Sequence, residues 1–303
     1  MSVQLAAETE RRALNVGGVR DAPGSRTGRA LALIRREPRI AIFGGVILIL
    51  VVVGLFAPLL APYDPYQTAP AHTLEQPSLA HPLGTDNLGR DQLSRVIYGT
   101  RISVTVAVIA VSIALGGGVS LGLAAGYVGG FTDGLFSRLV DAMLAFPGVL
   151  LAIAVTNALG PSLRNAMIAV GIIGIPLYFR LTRGQVLQAR EQEYVTAAAV
   201  IGASRPRILA HHIMPNIANP LIVAASISSS TSILALAALG FIGIGPQPPD
   251  PDWGSMINAA SGVLSRSPWL SFGPGLAIFV TVFSFSMLGD ALRDALDPRL
   301  RNR

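Results

Sequence analysis

EYVTAAAVIGASRPRILAHHIMPN, residues 193–216, is the longest polar interruption in the last two-thirds of a sequence otherwise made of long uncharged runs. Val195, Ala198 and Ala199 fall at helical spacing, which predicts a short amphipathic helix. Gly202 is placed to stop it, because glycine reaches the left-handed conformation without a Cβ clash. Ser204 is placed to cap a second helix, and Pro206 suits that helix's first turn, where a missing N–H costs nothing. Pro215 is expected to end or kink it. Two surface helices and a turn would satisfy this local pattern. The flanking charges add more: Arg180, Arg183, Arg190, Arg205 and Arg207 mark a cytoplasmic loop between two membrane spans.

Composition supports that setting. Of 303 residues, 51% are hydrophobic and only 13% charged, where a soluble domain carries about a quarter charged residues. The mean hydropathy is +0.55. The fold class is all-α integral membrane. With no cysteine, disulfides and thiolate chemistry are excluded. All 23 basic residues are arginine, and a P-loop needs a lysine on the phosphates, so the chain is no Walker-type ATPase. A net charge of +6 and a pI near 10.4 could suit nucleic acid. These arginines are not clustered with aromatics on a soluble domain, and nucleic acid is set aside as a partner.

Working outward from the loop, six uncharged runs fall at residues 40–60, 102–126, 142–163, 165–179, 217–245 and 269–288. A span of the bilayer core needs about 20 residues. The third run is expected to kink at Pro147, with Asp141 at its inner end where a carboxylate reaches water. The fourth is short, and Arg164 and Arg180 can snorkel to the interfaces. Gly118, Gly122 and Gly126 make a small-residue stripe suited to close helix packing in lipid. Ser228, Ser229, Ser230, Thr231 and Ser232 appear on every face of a helix. Bonding to their own helix or to neighbours is the plainer role for them; Ser228, Ser229 and Thr231 are also candidates for a translocation path. Six spans put both termini on one side. With that side cytoplasmic, all but five of the 23 arginines (Arg90, Arg95, Arg101, Arg164 and Arg266) lie inside, as the positive-inside rule asks. The expected organisation is a basic cytoplasmic tail over 1–39 and a transmembrane domain over 40–303. That domain includes an extracytoplasmic segment over 62–101 and a cytoplasmic loop over 180–216.

Ala197-Ala198, Gly202 after three intervening residues and Pro215 thirteen positions further on resemble the EAA loop of ABC importer permeases. Glu193-Tyr194-Val195 resembles its form in the dipeptide, oligopeptide and nickel permeases. HPLGTDNLGRDQLSRVIYGTR (81–101), PQPPDPDWG (246–254) and the C-terminal GDALRDALDPRLRNR (289–303) resemble the C-type subunits of that family. The acid stands at Glu193 rather than Thr196, as in the peptide subfamily. His212 and Met214 replace the usual Ile and Leu.

The resemblance implies the type I importer permease fold with six transmembrane helices. It also implies a loop that couples to a cytoplasmic ATPase through Glu193, Tyr194, Ala197, Ala198, Gly202, Ala203, Arg207, Pro215 and Asn216. Ala198 would lie at the contact face, and Glu193 would anchor the loop through an arginine or a backbone donor. Expected partners are a second permease subunit, one or two ATPase subunits that use ATP and Mg, an extracytoplasmic substrate-binding protein, and membrane lipid. The chain itself is expected to bind no cofactor or metal.

Import of short peptides is the expected function, with nickel or another small solute as the alternative. A secondary transporter would place ionisable groups inside its spans, and these runs hold none. An intramembrane serine hydrolase needs a base within reach of its nucleophile. All four histidines, His72, His81, His211 and His212, lie in loops and are expected to be solvated or interfacial.

Overall fold

A backbone in lipid must close its own hydrogen bonds, so each uncharged run has to be helical. The computed structural model describes residues 37–296. The basic tail expected over 1–39 is therefore outside the described residues up to position 36, as are residues 297–303 with Arg299, Arg301 and Arg303. Two units divide the chain, Met1–Pro38 and Arg39–Arg303, and the helices belong to the second apart from the first residue of α1.

The helices are α1 (Pro38–Leu55), α2 (Ala57–Leu60), α3 (Gln92–Val128), α4 (Gly130–Leu144), α5 (Gly148–Leu159), α6 (Leu163–Arg190), α7 (Glu193–Val200), α8 (Arg205–Phe241), α9 (Trp253–Ser261) and α10 (Trp269–Leu296). Five of them, α1, α3, α6, α8 and α10, are long and apolar enough to cross a membrane. The count reaches six if α4 and α5, bent by 94° at their junction, are taken as one span. Much of the outer surface is apolar, with Leu48, Leu55, Phe131, Phe272 and Phe279 exposed, as a lipid-facing surface requires.

Several helix limits differ from expectation. The second span does not begin at 102: Asp91 caps α3 by accepting a bond from Ser94 N at 2.8 Å, and the helix runs unbroken from Gln92. The third span is not one kinked rod. It breaks around Pro147 into α4 and α5, because proline disfavours the α conformation in the residue before it. The fourth run is part of a 28-residue helix. Charges stopped the hydropathic run at Arg180, and they do not stop the helix. The fifth span ends at Phe241 rather than 245, and the last continues past 288 to Leu296.

The centre of the fold is the pair α3 and α6, which run parallel. A Cβ on Gly118 would lie 2.5 Å from Tyr178 Cβ, one on Gly122 2.7 Å from Thr182 Cβ, and one on Gly126 2.9 Å from Val186 Cβ. Three glycines four apart thus meet three side chains four apart. From the other helix, Gly171 and Gly174 receive Ile113 and Ala114 at 2.7 and 2.8 Å. The expected packing stripe lies within this one chain. Pairs on α4 and α6 hold those two helices together: Asp133 accepts from Arg183 Nη2 at 2.7 Å, and Asp141 from Arg180 Nη2 at 2.8 Å.

At the Gln92 end of α3 the loops are pinned by buried charge. Arg90 Nε donates to Asp86 at 2.7 Å, and Arg95 Nη1 donates to the Pro65 and Pro249 carbonyls at 2.9 and 3.3 Å. Gln92 reaches the Leu270 carbonyl at 2.7 Å. Trp253, fully buried, lies over Gly99 and donates its indole N–H to Val96 O at 3.0 Å. His81 is not simply solvated: its Nδ1 lies 2.8 Å from Asp91. The segment over 62–101 thus ends in a packed, hydrogen-bonded cap that leads straight into a span.

Candidate functional site

Helix α7 follows α6 after two residues, and it turns one face inward. Val195 and Ala198 are buried against Ile208, Ile213 and Ile217 of α8 and Val186 and Ala189 of α6. Its end is a complete Schellman turn. Gly202 has φ +83°, its N–H bonds Ala199 O at 3.0 Å, and Ala203 N–H bonds Ala198 O at 3.0 Å. Ala203 packs on the same cluster that holds Ala198. Nothing lies within 4 Å of where a Cβ on Gly202 would be, so the backbone angle alone calls for glycine there.

Ser204 occupies the cap position of α8 with extended backbone, and Pro206 sits in the first turn as expected. The hydroxyl makes no capping bond; Ser204 contributes its carbonyl, which accepts from Ile208 N at 3.0 Å. Pro215 neither ends nor breaks the helix. A π-helical turn over Ile208–Ile213 precedes it. That widened turn takes up the proline, which cannot donate to the carbonyl four residues back. The second loop helix and the fifth span are therefore one body.

Tyr194 and Asn216, 22 residues apart, are brought together: Asn216 Nδ2 donates to Tyr194 Oη at 3.3 Å and to His212 O at 2.6 Å. Two expectations for the loop change. Ala198 is only 4% exposed and faces the chain's own core, so it is not at a contact face. Among the described residues, no hydrogen bond or ion pair of the Glu193 side chain is found; its carboxylate sits in the first turn of α7, where the helix dipole favours it. Ala197, Arg207 and Pro215 are exposed.

The residues missed by sequence reasoning are Val200 and Ile201, 80% and 84% exposed at the tip of the turn. Their signal was present: two branched apolar residues directly before a helix-ending glycine, off the Val195–Ala198 face. Beside charged Arg205 and Arg207 they form an apolar knob on a rigid turn.

The hydroxyl run in α8 is mostly turned to its own helix. Ser229 donates to Ala225 O at 2.9 Å, Ser230 to Ile227 O at 2.6 Å and Thr231 to Ser228 O at 3.1 Å. Ser228, Ser229, Ser230 and Ser232 are buried, and Thr231 is exposed. Ser286 of α10 donates to Ser230 Oγ at 3.1 Å, a bond to a neighbouring helix.

Long spans around a packed glycine seam, with a rigid two-helix loop between two of them, define a helical membrane component. Residues 118–302 match the family described as binding-protein-dependent transport system inner membrane component, and the chain belongs to that family. Residues 31–78 match the N-terminal TM domain of oligopeptide transport permease C. The chain is 44% identical over 268 residues to the dipeptide transport system permease protein DppC of Alkalihalophilus pseudofirmus, covering 88% of each. It is 44% identical over 267 residues to the di/tripeptide transport system permease protein DppC of Pseudomonas aeruginosa, covering 86% of this chain and 88% of that one. To the glutathione transport system permease protein GsiD of Pectobacterium atrosepticum it is 42% identical over 257 residues, covering 84% and 85%. In fold it is similar to an inward facing conformation of the MetNI methionine ABC transporter, with a TM-score of 0.53 at 16% identity, over 67% of this chain and 97% of that one.

Proposed function

We propose that this chain is the membrane-spanning permease subunit of an ATP-driven importer of short peptides, with both termini in the cytoplasm. The observation that carries it is the Schellman-ended helix α7 and its exposed Val200–Ile201 knob, set on the arginine-rich side between α6 and α8. Such a knob suits a groove on a cytoplasmic ATPase, and the rigid turn gives it a fixed aim. ATP hydrolysis falls in this assembly to one or two partner subunits, which use Mg. A second permease subunit completes the path, and an extracytoplasmic protein delivers the substrate. Thr231, exposed on α8, and Ser228 and Ser229 beside it are proposed to contribute to that path.

Peptides are favoured as substrate because the names of the relatives at 42–45% identity refer to dipeptides, di/tripeptides and glutathione. Cells deleted for this chain should lose uptake of labelled di- to pentapeptides and regain it on complementation. Unchanged peptide uptake with lost nickel uptake would transfer the assignment to the metal branch. In the purified complex, Ile201→Asp should lower ATPase retention at least tenfold while the protein stays in the membrane. Full retention with normal transport would remove the docking role from α7.

A further inference from the structure

A groove of about 420 Å³ opens between α6, α8 and α10. Leu181, Val223, Ile227 and Leu296 supply apolar walls, and Asn219 and Arg293 are its polar liners. Both polar residues are exposed. Among the described residues no carboxylate lines the groove. The neighbouring Asp294 is taken by Arg39, whose Nη2 lies 2.8 Å away. Among the described residues no ion pair involves Arg293. An apolar slot between spans with one unmatched guanidinium and one amide is the chemistry of an acyl chain joined to an anionic head; basic pockets between transmembrane helices bind acidic lipids in this way. A free phosphate would have no use for the walls.

We propose that this groove is a binding site for an anionic phospholipid. One acyl chain lies along Leu181, Val223, Ile227 and Leu296, and the phosphate meets Arg293 and Asn219. That the leaflet is the cytoplasmic one rests on the orientation proposed above. The binding itself does not, so the two can fail separately.

The test uses the full-length chain, in whatever assembly it purifies with, exchanged into lipid discs containing phosphatidylglycerol and phosphatidylcholine. Native mass spectrometry then counts retained lipid. Phosphatidylglycerol should be retained over phosphatidylcholine. Arg293→Gln should cut that retention about fivefold, corresponding to the ~1 kcal/mol one arginine supplies against an anionic head. Val223→Trp, which fills the slot and leaves the charge, should displace both lipids. Arg138→Gln, an exposed arginine on α4 outside the groove, should change nothing. Arg293→Lys keeps the charge and should keep the preference, which covers the case in which the glutamine variant fails to fold.

Equal retention of the two lipids, or equal loss in the Arg138 and Arg293 variants, overturns the proposal. Competition by soluble glycerol phosphate as strong as by the intact lipid would make this an ordinary phosphate site and overturn it too. Increased lipid retention on removal of residues 297–303 would identify that segment as the occupant, with the same consequence.

Discussion

Two kinds of glycine hold this fold together, and they resist the same substitution for different reasons. Gly202 has a left-handed backbone and open space, whereas Gly122 lacks room, with Thr182 Cβ at 2.7 Å and Phe179 O at 2.9 Å from an added Cβ. Gly202→Ala therefore costs about 1 kcal/mol of local strain, and Gly202→Asn less, since asparagine visits this conformation. Gly122→Ala forces the helices apart and costs roughly 1–3 kcal/mol. Thermal melts of the purified protein should rank Gly122→Ala below Gly202→Ala, and ATPase-coupled transport should be better kept by Gly202→Asn than by Gly202→Asp. The reverse order of melts would mean that the α3–α6 seam yields.

Asp252 offers a second test at this scale. It caps α9 through Ser255 N at 2.9 Å, and burial raises its carboxyl from 3.8 to about 6. The folded protein holds this proton to a higher pH than the unfolded chain does. Its stabilising contribution is thus complete below about pH 4 and is lost as pH rises through about 6, with a magnitude on the order of 2–3 kcal/mol. Asp252→Asn keeps the cap, since asparagine is as good there, and removes the titration. The variant's melting temperature should gain on the wild type between pH 4.5 and 7.5. Parallel curves would exclude Asp252 as the source.

At the scale of elements, the two pairs between α4 and α6 should differ in weight. Asp141 and Arg180 are 63% and 60% exposed, and Asp133 and Arg183 22% and 35%. Screening leaves the first pair under about 0.5 kcal/mol, while the two-pronged second contributes about 1 kcal/mol. Protease or cysteine-labelling access to α4 should rise more in Asp133→Asn than in Asp141→Asn.

The positions of most spans were legible, because an uncharged run in lipid has one structural solution. Their ends were not. Arg95 sits inside α3 because two carbonyls and Asp86 compensate its burial, and no local pattern announces such distant partners. Pro215 read as an end or a kink because the π turn that absorbs it is a property of the whole α8 rod. α4 was invisible as a separate helix, since Asp133, Arg138 and Asp141 interrupt its apolar pattern and the arginine partners of the two carboxylates lie on another helix. In the loop, Gly202 and the inward Val195 face were readable from local rules. Ala198 shares that face by its spacing from Val195, and Ile208, Ile213 and Ile217 of α8 pack against it.

For the whole molecule, the arrangement of arginines predicts sidedness. Ser78 and Ser204 are both exposed, and the chain has no cysteine. Single cysteines placed there should label from outside and inside respectively with an impermeant reagent. Labelling of both from one side would overturn the orientation, and with it the assignment of α7 to a cytoplasmic partner.

The parallel seam between α3 and α6 has a mechanical meaning. With 37 residues α3 is a rod of ~55 Å, clasped to its neighbour over several turns by backbone-close contact. Two rods joined in this way resist sliding and bending far better than either alone. α6 delivers into α7 through only two residues, and the far end of α3 is bolted by Asp86, Arg90 and Arg95. A shove on the loop is thus carried lengthwise down a stiff column to the opposite rim, instead of being dissipated sideways into fluid hydrocarbon.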